Sequence, residues 1–220
     1  MKQTFLHLFF LSVFITKTFG QFNFAGNNVN SGQVMTLNEL NGLEIQGHPF
    51  LNENFTGGLL SINHEKPFAL LMRFNTYTGN IEYKNDKGLV FFISSSKDLF
   101  DAKFDNQQFK NGFKPVDDLQ TKTVFLVIQD GKTKLLKHTK GILTDVNTYN
   151  EAAKVKRFDT VETYYLEKTG QLIKIKRNKD ILLEALGDHK TELEEYIKTQ
   201  KLKFKTWGEM TQVLAFYDGL

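Results

Sequence analysis

Residues 70–86, LLMRFNTYTGNIEYKND, set an arginine inside an apolar run, then a polar bend, then an alternating segment. From Phe68 to Phe74 the run is almost continuously apolar, the pattern of a strand buried on both faces or near a sheet centre. In NIEYK, Ile81 and Tyr83 face one way and Glu82 and Lys84 the other. Thr78-Gly79-Asn80 supplies the bend, so the two segments predict an antiparallel pair. Arg73 lies between Met72 and Phe74, where a charge needs a partner or water. Glu82, across the bend, is the candidate, which makes Arg73 and Glu82 a structural ion pair. Contact with a ligand is the alternative use of Arg73.

Working outward, short apolar runs punctuated by Gly, Asn and Pro over 43–69 read as strands separated by turns. NDKG at 85–88 turns the chain into a further strand, LVFFI. Residues 94–120 space Phe100, Phe104, Phe109 and Phe113 among polar residues, and a bent strand, a short helix and an exposed loop all fit. Two hairpins follow, one around Asp130-Gly131 and one around Lys168-Thr169-Gly170, because these residues tolerate positive φ. The connection over 141–159 has no assigned form. From residue 178 the period becomes helical: two short helices break at Gly187, with Asp188 placed to cap the second. Glu194 and Lys198 stand four apart as a solvent-side pair. A last helix opens on Thr206 and Glu209 at capping-box spacing and carries the stripe Trp207, Met210, Val213, Leu214 and Tyr217.

The first twenty residues have a lysine at position 2, an apolar run from Phe5 to Ile15 and small residues before Gln21, the pattern of a cleavable signal peptide. Lys17 departs from that pattern, and the run is short for a membrane span. Residues 21–42, rich in Asn and Gly, read as a flexible arm. Cleavage would remove two lysines and no acid, taking the formal charge from +3 to +1 and with it any argument from net charge to nucleic acid. The chain has no cysteine, which excludes thiol catalysis and thiolate zinc sites. Export without cysteine fits a bacterial envelope or secreted protein held together by its core.

Motifs that carry chemistry are sparse. His48, His64, His138 and His189 are isolated from one another, and no HExxH or calcium-loop spacing occurs. No G-x-S-x-G elbow surrounds a serine, and the glycines build neither a P-loop nor a dinucleotide fingerprint. No catalytic residue, metal ligand or cofactor is assigned. Lys174, Lys176 and Arg177, with Tyr164 nearby, form a candidate binding surface for an anionic glycan or lipid headgroups, although alternating lysines are also what a strand's solvent face carries.

Taken in order, GHPFLNENFTGG, LLMRFNTYTGNIEYK, the Phe-rich middle, YYLEKTGQLIKIKRNKDILLEALGDHKTELEEYIKTQKLKFKT and a final helix resemble a group of uncharacterised secreted or envelope proteins of Bacteroidetes. The likeness covers most of 43–217 and includes Met72, Arg73, Phe74, Asn75, Asn80, Ile81 and Glu82. Phe74 stands where that group usually has tyrosine. The resemblance implies export and pairing of the Arg73 and Glu82 strands; it implies no activity. The expectation is one α+β domain over 43–217, β-rich over 43–176 and helical over 178–217. Its sheet is antiparallel and twisted, or an open β-roll, with three short C-terminal helices. The expected role is a non-enzymatic binding or structural component, periplasmic or secreted, with an envelope protein or glycan as partner, no nucleic acid, and no membrane span after cleavage. The rival is a hydrolase-type enzyme whose site is assembled only in three dimensions.

Overall fold

The computed structural model describes residues 31–33, 44–93, 98–146 and 155–220. The expected signal peptide, and the arm apart from 31–33, lie outside the described residues. The strands are β1 (Ser31–Gln33), β2 (Glu44–Gln46), β3 (Thr56–Ile62), β4 (Phe68–Asn75), β5 (Asn80–Lys84) and β6 (Val90–Ile93). They continue as β7 (Phe100–Phe104), β8 (Gln107–Lys110), β9 (Phe125–Asp130), β10 (Lys134–Val146), β11 (Val155–Lys168) and β12 (Gln171–Ile175). Helices α1 (Lys179–Leu186), α2 (Lys190–Thr199) and α3 (Trp207–Tyr217) follow. The fold is α+β: a single twisted sheet, ordered β1-β6-β5-β4-β3-β7-β8-β9-β10-β11-β12, curls into a half-barrel. All pairings are antiparallel except β2, which runs parallel to the start of β11. Among the described residues no helix is long and apolar enough to cross a membrane.

The quoted stretch pairs as read, with Arg73 opposite Glu82 and Asn75 opposite Asn80. Burial on both faces is not what β4 shows. Phe68, Met72 and Phe74 are buried, whereas Leu71 on the other face is 49% exposed. The inner residues of β3–β9 make one core that includes Leu60, Met72, Phe74, Ile81, Phe104 and Phe109. Phe109 stacks on Phe104 at 4.7 Å between centroids, and burying such a side chain is worth about 1.5–3 kcal/mol.

Of residues 94–120, which the sequence left open, the described part, 98–120, lies in a hairpin and a closed loop. Asp105 and Asn106, at φ 53° and 55°, make the two-residue turn between β7 and β8 that Asx residues tolerate. Asp101 therefore lies on a strand. Gly112 N–H donates to Thr121 O at 2.8 Å and closes an Ω-type loop. Phe113, Val116 and Leu119 anchor that loop on Phe125, Leu136, Tyr165 and Leu172. The described parts of the unassigned connection, 141–146 and 155–159, belong to two long strands, β10 and β11, paired without interruption from Lys134↔Glu167 to Val146↔Val155.

The helices cover the other face of β10–β12, packing Leu182, Leu193, Met210 and Leu214 on Leu135, Leu166 and Ile175. Gly187 ends α1 at φ 78°, and Thr206 and Glu209 complete the capping box of α3. Asp188 does not cap α2. The N-cap is His189, which makes no side-chain cap bond, because the Asp188 carboxylate accepts from Tyr217 Oη (2.6 Å) and Lys168 Nζ (3.1 Å). Glu194 pairs with Lys179 of α1 at 3.5 Å.

At the Asp130-Gly131 hairpin the glycine is required for a different reason from the one expected. Gly131 does not adopt positive φ; a Cβ there would stand 1.9 Å from the Asp218 carboxylate. That carboxylate accepts from Thr133 N (2.9 Å) and Thr133 Oγ1 (2.7 Å), tying the chain's last residues to the turn. Thr169 and Gly170, by contrast, do use positive φ, at 50° and 77°.

Candidate functional site

Arg73 answers to its surroundings. Its Nε donates to Glu82 Oε2 at 2.9 Å and Nη2 stands 2.8 Å from the same oxygen. A third bond runs from Nη1 to Glu53 O at 3.1 Å. The guanidinium lies between two rings, 3.4 Å from the Phe50 centroid and 4.3 Å from that of Phe55. Glu82 is 2% exposed, so its charge depends on these partners and on Asn75, whose Nδ2 donates to Oε1 at 2.8 Å. No position for a ligand is left between arginine and acid.

The network reaches further through Asn75. Its Oδ1 accepts from Tyr77 N and Thr78 N, both at 3.1 Å, and so shapes the turn 76–79. Thr76 is fixed as well, with its N–H and hydroxyl both on Pro49 O at 2.7 Å. This turn touches the far side of the half-barrel. Gly141 N–H of β10 donates to Thr76 O at 2.8 Å, and Tyr77 meets Phe158 of β11 edge-on at 5.6 Å. A Cβ on Gly141 would lie 2.6–2.9 Å from Thr76 and Tyr77 atoms, so only glycine permits this approach.

Beside that seam opens a cleft of about 410 Å³. The β4–β5 turn forms one wall, the Ω-loop and the residues after it a second, and β10 a third. The turn contributes Thr78 and Asn80, the loop side Asp118, Lys122 and Thr123, and β10 His138 and Lys140, with Phe92, Leu119 and Val124 supplying apolar surface. Lys122 and Lys140 form no ion pair, and Asp118 has neither ion pair nor hydrogen bond, among the described residues. Burial holds His138 below the usual imidazole range; Asp118 opposes this shift and Lys140 adds to it. His138 is therefore neutral near pH 7.

A second cleft, about 290 Å³, gathers Ser61, His64 and Asp101. These are the residue types of a hydrolytic relay, but their bonds run elsewhere. Ser61 Oγ donates to Glu65 O at 2.7 Å, and Asp101 accepts from Gln108 Nε2 at 2.9 Å and lies 3.5 Å from Lys110 Nζ. Among the described residues no group of three or more His, Asp or Glu could hold a metal ion.

The surface expected from Lys174, Lys176, Arg177 and Tyr164 is divided. Tyr164 stacks on Trp207 at 3.6 Å and donates to Glu162 Oε2 at 3.0 Å. Burial and Glu162 push its hydroxyl up to about 12. Arg177 bonds Lys205 O and lies 5.9 Å from the Trp207 ring. Lys174 pairs in register with Tyr165, on the opposite face, and reaches Asp117 at 3.8 Å. Lys176 is exposed. Sequence reasoning missed the cleft because it is built from segments some 60 residues apart; the readable signal was Gly141 inside an otherwise strand-like run. No family model matches the chain, and neither a curated protein nor a solved structure does.

Proposed function

We propose that the protein is an exported, non-enzymatic binding component of a bacterial cell envelope or secretome, and that it binds through the seam cleft. The observation that carries this reading is the cleft's polar equipment: two lysines and an aspartate, without ion-pair partners among the described residues, line a partly apolar hollow. Such groups bind and orient; none is held against a nucleophile. The leader-like start of the chain and the likeness to secreted Bacteroidetes proteins support export. The hydrolase reading rests on Ser61, His64 and Asp101 sharing one cleft, and their hydrogen bonding disfavours it.

The test is saturable binding of the purified protein to envelope glycan and protein fractions, repeated with Thr78→Trp, which fills the cleft mouth. Binding lost in that variant with unchanged circular dichroism supports the reading. Binding that persists in the variant, or is absent in both, contradicts it.

A further inference from the structure

We propose that the seam cleft binds an anionic saccharide, with Lys122 and Lys140 receiving its acidic group and Asp118 accepting from its hydroxyls. This deepens the reading above and rests on it. The charges argue as follows. Lysines normally find a carboxylate or open water; these two are exposed to solvent, line one hollow and form no ion pair among the described residues. A ligand oxyanion supplies what the fold omits, with charge-assisted hydrogen bonds in a partly enclosed site. Asp118 argues against a bare phosphate or sulfate, which it would repel, and for a ligand that also offers O–H donors. Thr78 and Asn80 add uncharged donors and acceptors on the opposite wall. The hollow's apolar patches, Phe92 and Leu119, suit the C–H faces of a sugar ring, and about 410 Å³ accommodates a short oligosaccharide.

The walls are held for this purpose by groups that do not touch the ligand. Asn75 fixes the turn that bears Thr78, and the Gly112–Thr121 bond closes the loop that bears Asp118. Recognition would therefore need little ordering on binding.

The experiment is isothermal titration calorimetry of the purified full chain with three probes: trigalacturonate, maltotriose and inorganic sulfate. Trigalacturonate is expected to bind saturably, and Lys122→Ala/Lys140→Ala to weaken it at least tenfold. Lys114→Ala, a lysine outside the cleft, is expected to stay within twofold. Equal binding of maltotriose, indifferent to the two lysines, overturns the anionic assignment and leaves the binding reading standing. Sulfate binding as tightly as trigalacturonate, with the same lysine dependence, overturns the saccharide. If none of the three binds while the protein still takes up envelope material, this inference alone fails; if envelope binding is also absent, both fail.

Discussion

The two ends of the sheet solve one problem differently. Strands β3–β8 bury a Phe-rich inner face, and part of their outer face is closed by Phe50 and Phe55 lying over Arg73. Strands β9–β12 are covered twice, by three helices on one face and by the Ω-loop on the other. The first end therefore keeps a buried carboxylate that must be neutralised, while the second is sealed by apolar contact. The ends meet at β8–β9, through Phe109↔Leu126 and Lys110↔Phe125, and at the Gly141 seam. A cleft at such a junction inherits one wall from each solution, which is why its geometry depends on residues remote from it.

Breaking the first end should cost most. Arg73→Met leaves Glu82 buried with one side-chain partner fewer, and a loss of about 3 kcal/mol is expected in urea unfolding followed by far-UV circular dichroism. Adding Glu82→Leu should restore most of it, because the uncompensated charge goes too. Fluorescence of Trp207, the single tryptophan, reports the helical end and should shift less than the far-UV signal. Coincident shifts would erase the distinction drawn between the ends.

At the junction, Gly141→Val should destabilise by about 1–3 kcal/mol through overpacking against Thr76 and Tyr77. At the helical end, Thr206→Ala removes one half of the capping box and should cost about 1 kcal/mol, read as an earlier Trp207 transition. The smallest effect concerns pH. His138 has its folded pKa lowered by burial, so its contribution to stability is present above about pH 6.5 and is lost as pH falls through the folded value. His138→Asn should flatten that part of a plot of melting temperature against pH; an unchanged slope would assign the acid sensitivity to carboxylates.

How far the sequence disclosed this follows from the range of the forces involved. The Arg73–Glu82 pair was legible because the partners are nine residues apart on adjoining strands across one bend. The α3 cap was legible because it is local, from Thr206 to Glu209. The β7–β8 turn was missed although Asp105-Asn106 carries its signal, since the phenylalanine spacing also suited a helix. Asp188 was misjudged because Tyr217 and Lys168, distant in sequence, compete for its carboxylate. The residues of the candidate surface around Lys174 are split for a related reason: register decides which face a strand residue takes, and Lys174 and Tyr164 take opposite ones. The cleft needed three segments in contact and could not be read from any one of them.

The most direct measurement is the trigalacturonate affinity of Gly141→Ala. This residue offers no side chain to a ligand, yet its close approach to Thr76 sets the distance between the cleft walls. The account predicts at least a tenfold loss of affinity at a temperature where the variant keeps the wild-type far-UV circular dichroism. Wild-type affinity in Gly141→Ala would contradict it.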